Sequence, residues 1–111
     1  MKFARVQGHG HTIVADGVTF VSLVVTLDTG HAATVVRNEV VPWLEFGPAG
    51  DVAWQIDQYT QETIGNELAD DFWEPVSEDS AQRGSRDDGF VHSSTYVVRQ
   101  MSAYQWPGEE Q

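Results

Sequence analysis

The chain predicts an α+β fold: an antiparallel sheet of about four strands, in the order β-β-β-α-β, with one long or broken helix packed on one face. Three observations carry this expectation. The first 41 residues are rich in β-branched side chains and punctuated by short glycine-containing turns; apolar residues then recur in steps of three and four from Val52; and Phe90 to Tyr104 returns to strand composition.

Taken in order, Phe3 to Gln7 and His11 to Ala15 read as one bent strand, with Gly8 and Gly10 marking a bulge or a close backbone approach. Asp16-Gly17 makes a two-residue hairpin turn between Ile13-Val14 and Val18. Val18 to Leu27, nearly continuous in apolar character, is expected to be the central strand. Asp28-Thr29-Gly30 turns the chain again, and a third strand runs from Ala32 to Val41, where Pro42 ends it.

Pro48, Gly50 and Asp51 announce a helix, with the Asp51 carboxylate suited to accept from the first free backbone N–H groups. Val52, Ile56, Tyr59 and Thr63 share one face of it. Ile64, Leu68 and Phe72 form a second line, rotated from the first, which predicts a kink or a break at Gly65 and an end before Pro75. Ser77 to Gly89 has almost nothing to bury and is expected to be a mobile loop; residues 107–111 read as a polar tail on a single domain of residues 1–106.

At 111 residues with 41% hydrophobic content the chain is long enough for one real core. It contains no cysteine, which excludes disulfides and thiolate metal sites. The longest apolar run, Val18 to Leu27, is half of what a bilayer span needs, and Met1-Lys2-Phe3 begins no signal segment, so neither a membrane nor a secretory role is expected and the cytoplasm is the default compartment. One Lys and five Arg do not make the cationic cluster that phosphate binding requires, so direct nucleic-acid binding is not expected.

The net charge of -11 has a single origin. From Asn38 to Gln82 there are eleven acidic residues and no Lys or Arg, while the remainder carries six of each sign. Such a segment is the electrostatic footprint of a surface that meets something cationic. Within it, Glu67, Asp70, Asp71 and Glu74 stand at i, i+3, i+4 and i+7, which in a continuous helix would place four carboxylates on one face. Two like-charge i,i+4 pairs would then cost roughly 0.2–0.5 kcal/mol each, a cost that folding alone does not select. Asp57, Glu62, Trp54 and Trp73 extend the expected partner-binding surface, because a tryptophan among carboxylates combines an apolar anchor with steering of basic groups. A face of solvated acids that only confers solubility is the competing reading.

His9-Gly10-His11 is the second constellation, since residues two apart on a strand point to the same side and two imidazoles there can grip one metal ion. A catalytic site needs a third ligand, available only from His31, His92 or a carboxylate, so no catalytic residue, cofactor or metal centre is assigned. The composition is like that of anti-restriction, anti-CRISPR and antitoxin or immunity proteins as a loose class. It implies a non-enzymatic inhibitor that docks on the basic site of a nuclease or another nucleic-acid-binding protein. A subunit of a phage or similar assembly, forming a homo-oligomer, is the alternative, and a metal-dependent enzyme using His9 and His11 is third.

Overall fold

A computed structural model describes residues 3–46, 51–68 and 72–101. The fold is α+β: among the described residues, one antiparallel sheet of five strands with a single α-helix packed against it. The strands are β1 (Phe3–Ala15), β2 (Val18–Asp28), β3 (Ala33–Pro42), β4 (Phe72–Arg83) and β5 (Val91–Met101). A 3₁₀ turn (Trp43–Phe46) and helix α1 (Val52–Glu67) lie between β3 and β4. The sheet order is β3-β2-β1-β5-β4, every neighbouring pair being antiparallel.

The central strand is therefore β1, not the apolar Val18–Leu27 segment. Gly8 and Gly10 explain why. Both pair without interruption to β2 and β5, so they form no bulge. A Cβ at Gly8 would overlap Thr60 Oγ1, and one at Gly10 would overlap Ile56 Cδ1, so the missing side chains let α1 lie directly on the middle of the sheet. The β2 run is almost continuously apolar because Val21, Leu23 and Val25 are buried beneath the helix while Phe20 and Val24 are half-buried on the other face.

Asp16 and Gly17 both have positive φ, 52° and 76°, the pair of left-handed residues that a tight hairpin demands. Gly30 closes the next turn at φ 90°, its N–H donating to Asp28 Oδ1 at 2.9 Å. The helix buries Val52, Ile56, Thr60 and Thr63, with Tyr59 half-buried beneath the Arg37 guanidinium, 3.9 Å from the ring centre. The buried threonines satisfy themselves: Thr60 and Thr63 hydroxyls donate to the carbonyls of Ile56 and Tyr59 at 2.7 and 2.9 Å. Two apolar clusters result, one of Ala4, Val6, Val25, Leu68 and Val98, the other of Val21, Leu23, Val52, Ile56 and Phe90. Each fully buried aliphatic side chain among them contributes about 1.5–3 kcal/mol.

Four sequence expectations are corrected. The helix passes through Gly65 without a break and ends at Glu67, with Leu68 as its C-cap. Asp51 occupies the N-cap, but its carboxylate makes no cap hydrogen bond; at φ -74°, ψ 53° its backbone is outside the region from which a cap side chain reaches back, and only its carbonyl engages, accepting from Gln55 N–H at 3.1 Å. Pro75 does not stop a helix but lies in edge strand β4, beside a register shift between Pro75 and Ser77, where a missing N–H is tolerated. Ser77–Arg83 is strand rather than loop: it pairs with Val91–Val97, and the connection proper is the turn around Gly84 and Gly89, both at positive φ. Pro48 and Gly50, residues 107–111 and Tyr104 lie outside the described residues.

Candidate functional site

Strand alternation sorts the side chains onto two faces. Residues 90, 92, 94, 96 and 98 face α1; residues 91, 93, 95, 97 and 99 face away, beside the odd-numbered residues of β1. No helix covers that second face among the described residues.

The four-carboxylate stripe is not a helical face. Glu67 is the last residue of α1, whereas Glu74 belongs to β4, on the uncovered face, ion-paired with Arg99. Asp70 and Asp71 lie outside the described residues, and of Trp73 only the strand backbone is described. The i, i+3, i+4, i+7 spacing shares one face only in a continuous helix, and α1 ends seven residues before Glu74. The acids that α1 does carry are Asp57, Glu62 and Glu67. Glu62 and Glu67 are exposed and form no ion pair among the described residues.

Trp54 is where the expectation of an exposed anchor meets the fold. It stands on the crest of α1, 59% exposed, in line with Gln58, Gln61 and Gly65 at steps of four, three and four, opposite the buried row. Trp43 instead packs edge-on to Phe90, with ring centres 5.4 Å apart. Between α1 and β4 a cavity of about 280 Å³ is lined by Gln61, Ile64, Pro75, Glu78, Tyr96 and Val98. Its walls are mostly apolar and its one charged group is the Glu78 carboxylate. Gln61 Nε2 donates to Tyr96 Oη at 3.2 Å, and the Tyr96 hydroxyl donates to Glu78 Oε2 at 3.0 Å. Burial pushes the Tyr96 phenol above its ordinary value, against the Gln61 hydrogen bond and with help from the Glu78 and Asp57 charges, so it stays a neutral donor.

Asp57 is turned inward rather than presented on the crest. Its Oδ1 accepts from His92 Nε2 at 3.0 Å and from the Ser94 hydroxyl, and Ser94 Oγ lies 3.3 Å from the same His92 nitrogen. His92 and Ser94 are 4% and 2% exposed, and His92 Nδ1 is buried without a partner among the described residues. This is not a nucleophilic triad. A triad puts serine on one imidazole nitrogen and carboxylate on the other. Here both crowd Nε2, and the serine proton is already donated to the carboxylate. The cluster pins α1 to β5.

His9 and His11 do point the same way, with ring centres 5.7 Å apart on the uncovered face. His9 is half-buried, with Nδ1 2.9 Å from Ser93 Oγ; His11 is exposed. Burial, then the neighbouring His11 and His92, hold the His9 imidazole below its ordinary value. His92 cannot join this pair because it lies on the opposite face, and His31 sits in the turn between β2 and β3, beyond the opposite end of β1. No three metal-ligating side chains cluster among the described residues. Nor does any helix among them have the length and apolar character to cross a membrane.

The sequence singles out Trp54, His9 and His11 but does not reveal Glu78, Gln61, Tyr96, Ser94 or the inward role of His92, which it offers only as a third metal ligand. The signal for the last three was the period-two pattern Phe90, His92, Ser94, Tyr96, Val98, which sets polar groups in a row that begins and ends apolar. No protein-family model matches this chain, and no curated protein matches it.

Proposed function

We propose that the protein is a non-enzymatic binding module that docks the crest of α1, and the cleft between α1 and β4, on a basic site of a partner protein. The observation that carries this reading is Trp54, a large aromatic 59% exposed in the first turn of α1 on the face turned away from the sheet, within a 45-residue segment that contains no base. The cleft supports it: apolar walls with a carboxylate at the rim suit the aliphatic stem and cationic head of an arginine or lysine. Gln61, which borders the cleft, is two helical turns from Trp54, about 10 Å along the axis, so one partner surface spans both. A partner whose basic site normally holds nucleic acid fits the inhibitor or immunity-type role, because the exposed carboxylates Glu62 and Glu67 on α1 and Glu78 at the cleft present such a site with charge of the same sign as phosphate.

The test is capture from a lysate of the source cells by wild-type protein and by a Trp54→Ala, Glu62→Gln, Glu67→Gln variant. A basic protein retained by the first, lost from the second and released at raised salt supports the reading; retention by both removes α1 from the interface.

A second reading, a subunit of a homo-oligomeric assembly, is favoured by the other side of the molecule. The sheet face opposite α1 has no cover among the described residues; Ile13 and Val18 lie on it, 40% and 46% exposed, and Val14, 66% exposed, adds to them from the other face of the hairpin tip. That tip extends past the pairing of β1 with β5 and of β2 with β3. Light scattering at low and high salt separates the two readings: a monomer at both supports the binding module.

A further inference from the structure

We propose that His9 and His11 form a two-imidazole clamp for a divalent first-row transition-metal ion of the copper, nickel or zinc kind, on the sheet face that α1 leaves uncovered. The proposal does not depend on how α1 docks. Strand geometry puts both rings on one side of β1, the central strand, whose pairing on either flank is continuous through residues 9–11. A metal–nitrogen bond of about 2.0–2.1 Å sets the centres of two imidazoles sharing one ion about 5 Å apart. The observed 5.7 Å closes to that by a small rotation of His11, which is exposed.

The surroundings fit a ligand role. With an ion on His9 Nε2, Nδ1 keeps its proton and donates to Ser93 Oγ, already 2.9 Å away, the outer contact that fixes ring orientation in imidazole sites. The cross-strand neighbours, Val24 and Ser93 for His9 and Ser22 and Val91 for His11, carry no charge to compete for or repel the ion. Two neutral nitrogens without a carboxylate select copper, nickel or zinc over magnesium or calcium, which prefer oxygen. The rest of the coordination shell is left to water or to a donor from an incoming molecule, so the site binds metal without constituting the three-ligand centre of a hydrolytic enzyme.

The test is calorimetric titration of tag-free protein with zinc, nickel and, as control, magnesium chloride. One equivalent of zinc or nickel and no magnesium is expected. Affinity should fall at least about tenfold in His9→Ala and in His11→Ala, about tenfold in Ser93→Ala, and not at all in His31→Ala. As a check that needs no variant, substoichiometric copper should broaden the NMR signals of His9, His11 and Ser93 in the wild type first. Absence of saturable zinc or nickel binding, affinity unchanged in the His9→Ala/His11→Ala protein, or copper broadening centred elsewhere would each overturn the proposal.

Discussion

Gly8 and Gly10 let α1 lie directly on β1, because the helix rests where their side chains would be. Gly8→Ala should therefore force the helix away from β1 and cost about 1–3 kcal/mol in denaturant unfolding, the range for overpacking a filled core. A loss below a few tenths of that range would mean that α1 and β1 are not in close contact. Asp57 is the second decisive residue. Removing it strands the Ser94 hydroxyl and the His92 Nε2 proton beneath the helix, so Asp57→Ala should lower stability by about 1–3 kcal/mol. His9 sets a pH dependence. Its folded-state pKa lies below the ordinary 6.5, so the unfolded chain takes up this proton first as the pH drops. In metal-free protein its contribution is fully present above pH 6.5 and is lost as the pH falls toward the folded value, below which the curve levels. Thermal unfolding from pH 7.5 to 5 should show this slope, reduced in His9→Gln; an identical slope in that variant would assign it elsewhere.

At the scale of elements, the β1–β2–β3 meander and the start of α1 were legible because their signals are local: the Asp16-Gly17 turn, the Asp28-Thr29-Gly30 turn, and the Val52, Ile56, Thr63 spacing. The region after α1 was not. Ile64, Leu68 and Phe72 keep a helical spacing, but only Ile64 and Leu68 use it, packing on Ala4, Val6, Val25 and Val98, while Phe72 opens β4. β4 was illegible because an edge strand with polar residues on its open face carries little alternation. Ser77 to Arg83 contains one apolar residue, Ala81, and is held by its ladder to β5 and by Glu78 with Tyr96. The candidate site divides in the same way: an exposed Trp and a His-x-His pair show in sequence, whereas the Asp57–His92–Ser94 cluster depends on a helix and a strand 35 residues apart. Hydrogen exchange gives the direct check on β4. Amides in Ser77–Arg83 that point toward β5 should be protected in alternation, and uniformly fast exchange would return the segment to loop.

For the whole molecule, the described acids of Asn38–Gln82 are spread over β3, the 3₁₀ turn, the N-cap and body of α1, and β4 rather than concentrated in one stripe. Glu39 and Glu74 are paired with Arg37 and Arg99 and Asp57 with His92, which leaves Glu45, Asp51, Glu62, Glu67, Glu78 and Asp79 without an ion pair among the described residues, Glu62 and Glu67 on α1 and Glu78 beside its cleft. A field of this kind speeds encounter with a cationic partner and weakens as salt shortens its reach to about 8 Å at physiological ionic strength. The anchor itself, Trp54, should act on dissociation more than on encounter. The measurement that tests the docking of α1 most directly is the association and dissociation rate of the captured partner, followed against salt for wild type, Glu62→Gln/Glu67→Gln and Trp54→Ala. Docking through α1 entails slower, less salt-sensitive association for the double variant and faster dissociation for Trp54→Ala; rates and salt slopes identical to wild type in both would rule it out.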